Sequence, residues 1–220
     1  MPMRRTLPWM LILLCSAAPL SAAPLSAASP EAPDADWILQ KLARPAPVST
    51  AFVELRGSAL LKAPLRVQGE YRRPDAQTLV REVTAPYHET TTLRGSEATL
   101  ERDGKPPRRF SLTRVPELAG LQSGFGALLS GDRALLQQQY TISSSGTRER
   151  WQLQLQPKDP AMAAHVRSLR LYGRGAELRC IETTPAKGDV QRTLLAGAAQ
   201  AAGALADGAA LTALCHGDAA

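Results

Sequence analysis

Residue types that perform catalysis are scattered along this chain. Its three histidines are far apart in the sequence, and none of them has a partner at the spacing of a metal site. The serines at 143–145 lack the Gly-x-Ser-x-Gly pattern of a nucleophile and indicate a turn. The sequence therefore predicts a protein that is not an enzyme and that binds no metal and no cofactor. The histidines are His88, His165 and His216.

The N-terminal segment has the three parts of a secretory signal. Two arginines precede an apolar run at residues 7–15, and small residues follow as far as Ala28. The apolar run is too short to span a bilayer well. The pattern predicts a cleaved signal peptide over residues 1–28 and a soluble, exported mature protein. Cleavage after Ala22 or Ala23 and a buried N-terminal helix are the alternatives.

Export determines how the cysteines are interpreted. A lipoprotein signal has a small residue before its lipid-carrying cysteine, whereas Cys15 follows Leu14. We therefore expect Cys15 to be discarded with the signal, with a lipid anchor as the alternative. Cys180 and Cys215 remain, and an oxidising compartment permits a disulfide between them. Because Cys215 lies in a segment with few apolar residues that could dock, a disulfide and two free thiols both stay open.

The charge of the exported chain gives little reason to expect nucleic-acid binding. The net charge is +6 for the whole chain and falls to +4 once the two arginines of the signal are removed. Aromatic residues make up only 5% of the chain, too few for a base-stacking surface. The densest local charges are Arg72, Arg73, Arg108 and Arg109. These arginines either form solvated turns or use their guanidinium groups to contact lipid headgroups or a lid.

Alternation of apolar and polar residues predicts two series of short antiparallel strands. Trp151, Leu153 and Leu155 alternate with glutamines, which is typical of a half-buried strand. About six strands are predicted between residues 49 and 112, and about five more between 140 and 195. Turn-forming glycine, proline and aspartate residues separate them.

Helical spacing occurs at three places. The first helix is predicted over residues 34–42, with Asp34 as its N-cap. A helical insert at 116–129, which contains Gly124 and Gly126 among its glycines, separates the two strand series. A second short helix at 134–139 follows the Gly131-Asp132 break.

Together these elements predict an α+β protein that is mainly β. A meander of this length must curve to bury its apolar side. We therefore expect a strongly curved antiparallel sheet, an incomplete barrel of about eleven strands, with helices that cover its concave side. The folded domain is predicted over residues 29–195, and the Ala/Gly-rich tail at 196–220 is predicted to be loosely ordered.

Apolar positions on the strands and on the insert are candidates for the lining of a cavity under this curved sheet. Ordinary core packing is the alternative for each of them taken singly. The candidates are Leu65, Val67, Tyr71, Phe110, Leu112, Leu118, Leu121, Phe125, Leu128, Trp151, Leu153, Leu155, Leu169 and Leu171.

One segment resembles a known family. The sequence Gly69-Glu70-Tyr71-Arg72-Arg73-Pro74-Asp75, which continues through residues 79–86, resembles the strand pair of the LolA-type periplasmic lipoprotein carriers. The resemblance extends over residues 34–195. The Gly131-Asp132 break and the strand at 151–157 are most similar to a divergent LolA-related branch.

The resemblance implies a fold, a function and a residue role. It implies a curved, incomplete barrel with a helical lid and an apolar cavity that takes the acyl chains of a lipoprotein. Such a carrier works in the periplasm, between an inner-membrane donor and an outer-membrane acceptor, and we expect it to be a monomer. Arg73 matches the arginine that holds the lid closed in the family.

The cargo is left open, because the low aromatic content and the lid sequence depart from the family pattern. Another lipid-linked product is an alternative to a lipoprotein. An alternative of a different class is a periplasmic sensor or assembly module, which would bind a protein partner through the same curved sheet.

Overall fold

The structure is a computed structural model that describes residues 33–56, 65–112, 127–128, 131–205 and 207–218. Within these residues there are eleven strands and five helices with both ends described. The strands are β1 (Val48–Arg56), β2 (Leu65–Arg73), β3 (Thr78–Ala85), β4 (Glu89–Arg94), β5 (Glu97–Arg102), β6 (Lys105–Ser111), β7 (Tyr140–Gly146), β8 (Trp151–Pro157), β9 (Val166–Arg174), β10 (Glu177–Pro185) and β11 (Gln191–Leu195). The helices are α1 (Ala35–Leu42), α2 (Arg133–Gln139), α3 (Pro160–Ala163), α4 (Ala196–Ala202) and α5 (Gly208–His216).

Helix α1 begins and ends where its sequence requires. The carboxylate of Asp34 accepts a hydrogen bond from the backbone N–H of Trp37 at 2.7 Å, which satisfies one of the free donors of the first turn. Ile38, Leu39 and Leu42 are buried on one side of the helix, and two prolines follow the last turn. The helix predicted over residues 34–42 is confirmed.

All eleven strands form a single antiparallel sheet, in the order β6-β5-β4-β3-β2-β1-β11-β10-β9-β8-β7. The first strand and the last strand of the chain are paired at the middle of the sheet, with Phe52 opposite Leu195 and Val53 opposite Leu194. Two meanders therefore extend outward from this central pair. The predicted curved, open antiparallel sheet of about eleven strands is confirmed.

The inner face of the sheet carries the main core. We define it by Phe52, Val67, Val83, Leu153 and Leu171, all of which are buried. The buried side of α1 and a buried leucine of α2 belong to the same cluster, as do the helical residues at 127–128. Burial of this continuous apolar surface is the main force that holds the helices on the sheet.

The outer face of the sheet is covered by the C-terminal segment. Val53 and Leu194 are buried here against α4 and α5. Cys180 of β10 is joined to Cys215 of α5, with an S–S distance of 2.07 Å. The sequence predicts a loosely ordered tail at 196–220, whereas the described residues of this segment form two packed helices. Three alanines of α4 are buried. Because their side chains are small, the helix packs close to the sheet and few leucines are needed for docking.

Two local expectations differ from the structure. The serines at 143–145 form part of β7, and each pairs across to β8. The turn falls at residues 147–150 instead, where the backbone groups of Thr147 and Arg150 bond to each other. The insert helix predicted at 116–129 lies outside the described residues except for 127–128, which are helical and buried.

Candidate functional site

A cavity of about 280 Å³ opens on the inner face of the sheet. It lies where α1, the end of β2 and the β9–β10 turn meet near the central strand pair. Its wall is predominantly apolar, and charged side chains are placed at its rim. The lining residues are Leu42, Arg44, Val48, Ser49, Thr50, Tyr71, Arg72, Arg73, Leu79, Leu128, Ala176, Glu177, Leu178, Leu195 and Ala196.

The alternation along β2 places Tyr71 and Arg73 on the inner face with Val67. Gly69 makes this possible, because it lies at a register shift between β2 and β3. A Cβ atom at this position would lie 1.8 Å from the backbone oxygen of Glu82, so only glycine fits. The glycine of the Gly-x-Tyr sequence is therefore required by the close approach of β2 and β3.

The turn after Arg73 is fixed by Asp75. Its carboxylate accepts a hydrogen bond from the backbone N–H of Gln77 at 2.8 Å and another from the hydroxyl of Thr78 at 3.0 Å. These hydrogen bonds hold the pKa of Asp75 below its ordinary value. Asp75 therefore stays ionised and keeps the end of β2, and with it the backbone of Arg73, in place.

Arg73 differs from the other charged groups at the cavity. Its Nε and Nη1 atoms are buried, and no described residue accepts a hydrogen bond from them. Arg72, the preceding residue of the strand, pairs with Glu82 instead. Arg44 donates to the carbonyl oxygen of Ala176 at 3.2 Å. The site thus combines an apolar space with a guanidinium whose buried donors are unused.

Most of the residues predicted to line a cavity form the core. Tyr71 and Leu128 do line the cavity described above. The strand residues Val67, Trp151, Leu153, Leu155, Leu169 and Leu171 are buried in the main core cluster, and Leu65 packs against it. Phe110 and Leu112 belong to a separate cluster near the β6 edge. Leu118, Leu121 and Phe125 lie outside the described residues.

Several residues that line the cavity could not be recognised in the sequence. Leu42, Leu79 and Leu178 line the cavity, but the alternating pattern gave no reason to separate them from ordinary helix or strand positions. The pairing of β1 with β11 brings them together from distant parts of the chain. Arg73 could be singled out from the sequence, because it belongs to the family-like motif at residues 69–75.

The other basic and histidine candidates lie elsewhere. Arg108 and Arg109 are exposed on β6, and neither lines the cavity. His88 and His165 are also exposed. His216 is placed on the outer face, where its ring contacts that of Tyr172 with 4.7 Å between centroids.

His216 belongs to a cluster that has the composition of a metal site. Its Nε2 atom lies 3.1 Å from a carboxylate oxygen of Glu182, and these two groups lie within 4.8 Å of the Cys215 sulfur. The sulfur is already bonded to Cys180, and the Glu182 carboxylate accepts a hydrogen bond from Arg192 Nε at 2.8 Å. The cluster therefore fastens α5 to the sheet through groups that are already occupied.

Comparison with known proteins gives the family. A family model described as outer membrane lipoprotein carrier protein LolA-like matches residues 27–219. Because the match covers nearly the whole chain, the protein belongs to this LolA-like family, whose members are binding and carrier proteins rather than enzymes. Within the described residues no helix has both the length and the apolar composition needed to cross a membrane.

Two solved structures are similar to this chain. A LolA superfamily protein from Nitrosomonas europaea shares 13% identity, with 74% of this chain and 91% of that chain covered and a TM-score of 0.39. LprF from Mycobacterium bovis also shares 13% identity over 74% of this chain and 91% of that chain, with a TM-score of 0.33. A search of curated proteins finds no match.

Proposed function

We propose that this protein carries a lipoprotein or another lipid-linked molecule through the periplasm toward the outer membrane, and that the acyl chains of the cargo occupy the cavity on the inner face. The apolar cavity itself is the observation that carries the proposal. Its volume of about 280 Å³ is close to the lower end of the range for ligand pockets. Its partly open form gives an acyl chain a route in and out.

The energetics favour an acyl ligand. Each methylene that leaves water contributes roughly 0.8 kcal/mol, so a chain with only part of its length in the cavity binds with useful affinity. Non-covalent burial is also reversible, which suits a carrier that must release what it binds. The family to which the chain belongs supports the same function.

The remaining parts of this proposal rest on the sequence and on the family resemblance. The signal peptide over residues 1–28 would direct the chain to the periplasm, where it would act as a monomer between a donor and an acceptor. Arg73 would help to hold a lid closed. The helical insert predicted at 116–129 would form that lid, and all of it except 127–128 lies outside the described residues.

Native mass spectrometry of protein purified from the periplasm tests this function. The carrier function predicts a lipid bound at one per protein, released by organic solvent. A protein whose cavity is free of lipid, and which purifies instead in a stable complex with another protein, would favour the alternative of a sensor or assembly module and would contradict the carrier.

A further inference from the structure

We propose that the acyl cargo carries an oxyanion at its head, a carboxylate or a phosphate, and that Arg73 binds this oxyanion at the rim of the cavity. The inference rests on the carrier function and specifies its ligand. It begins from the Nε and Nη1 atoms of Arg73, which are buried without a hydrogen-bond partner among the described residues. The same side chain lines the apolar cavity.

Buried guanidinium nitrogens without an acceptor are unfavourable, because they have lost their hydration and gained no hydrogen bond in return. A carboxylate or a phosphate is the group that fits it best. Guanidinium N–H groups form directed, charge-assisted hydrogen bonds to these oxygens, and such bonds are stronger than those between neutral groups. A neutral ester or hydroxyl at the same place would satisfy the donors but leave the charge uncompensated.

The neighbouring arginines do not compete for this ligand. Arg72 is paired with Glu82, and Arg44 donates to the backbone oxygen of Ala176. Both side chains line the cavity, yet each of them already has an acceptor. Arg44 is exposed and keeps its hydration, so Arg73 differs from it in having buried donors that lack an acceptor.

The carboxylate of the cavity does not neutralise Arg73 either. Glu177 accepts a hydrogen bond from the backbone N–H of Gly197 at 2.8 Å and lies 3.6 Å from the guanidinium of Arg179. Elsewhere on the inner face Arg81, which is partly buried, pairs with the buried Glu54, with 3.1 Å between nitrogen and oxygen. Neither of these carboxylates is therefore a partner of Arg73.

The position of Arg73 fits the head of a lipid rather than its tail. It is the last residue of β2, and the turn at residues 74–77 that follows it is exposed. Leu128, Leu178 and Leu195 line the same cavity and provide apolar contacts for the chain.

Matched lipid probes test the inference. A long-chain fluorescent polyene fatty acid and its methyl ester differ only at the head, and at neutral pH only the acid carries a charge. The wild-type mature protein is expected to bind the acid about tenfold more tightly than the ester. Arg73→Gln should lose this preference and keep its affinity for the ester within about twofold. Arg73→Lys should keep most of the preference, and Arg109→Gln, an exposed arginine outside the cavity, should behave as wild type.

A second pair of probes identifies the oxyanion. Lysophosphatidic acid and the monoacylglycerol with the same chain are compared as competitors, and a preference for the phosphate that disappears in Arg73→Gln assigns a phosphate head. Inorganic phosphate should not displace the fluorescent acid, because it has no acyl chain; displacement at the same concentration would contradict an acyl-linked ligand. Equal affinities within both pairs would overturn the inference.

The test separates this inference from the other proposals. A residue that acts only as a lid latch changes the affinities for acid and ester by the same factor, so an equal change in Arg73→Gln overturns oxyanion binding. If the wild-type protein binds the uncharged member of each pair but prefers the charged member of neither, the carrier stands and the inference fails. A protein that binds none of the probes contradicts both. Circular dichroism of each variant establishes that it is folded.

Discussion

Substitution of Leu178 by tryptophan is expected to reduce the affinity for an acyl probe by roughly 30-fold. Leu178 is partly buried at the start of β10 and lines the cavity. An indole at this position fills space that would otherwise hold about two to three methylenes of the ligand, at about 0.8 kcal/mol each. The resulting loss of about 2 kcal/mol corresponds to the stated change in affinity. Titration with the fluorescent methyl ester measures it without involving any charge.

The matched control is Leu135→Trp. Leu135 lies on α2, is 36% exposed, and does not line the cavity. The control adds the same side chain at a surface position and should bind the probe as the wild type does. Thr50→Trp, from another strand of the cavity wall, provides a second blocking variant if Leu178→Trp unfolds. Wild-type affinity in folded blocking variants would place the acyl site elsewhere.

Replacement of both Cys180 and Cys215 by alanine is expected to lower the free energy of unfolding by about 3–4 kcal/mol. The disulfide closes a segment with a sequence separation of 35 residues, and the loss of this constraint increases the entropy of the unfolded chain. Urea unfolding with and without a reducing agent measures the effect. The double variant should be insensitive to the reductant, whereas the wild type should be destabilised by it.

The same variant distinguishes stability from ligand binding. The disulfide connects β10 with α5 on the outer face, whereas the cavity lies on the inner face. Affinity for the methyl ester should therefore stay within about twofold of wild type at temperatures where the variant is folded. A loss of stability below 1 kcal/mol would contradict the role assigned to the disulfide.

The strands could be predicted because their side chains alternate between two unlike environments. The strand predicted over residues 89–94 has the same bounds in the structure, since a proline precedes it and a glycine turn ends it. Trp151 and Leu153 were also correctly placed on a strand. Alternation reports only which face a residue occupies, however, so it did not distinguish core packing from the wall of a cavity.

The cavity required information that local sequence does not contain. Its walls come from α1, β2 and the region of Leu178 and Leu195. These parts meet only because β1 pairs with β11, the last strand of the sheet in chain order. The packed C-terminal helices were missed for a related reason. The alanines of α4 carry little hydrophobic surface individually, and their docking depends on the close approach to a sheet that the sequence does not display.

Photocrosslinking with an acyl probe tests the central claim most directly, because it reports where the chain lies. A fatty acid with a diazirine near its methyl end is bound to the mature protein, irradiated, and located by mass spectrometry of the digested protein. The account predicts labels in peptides that contain Leu42, Leu128 or Leu178, and predicts that excess unlabelled lipid abolishes them. Labels confined to α4 and α5, or labels that excess lipid does not reduce, would contradict an acyl site on the inner face.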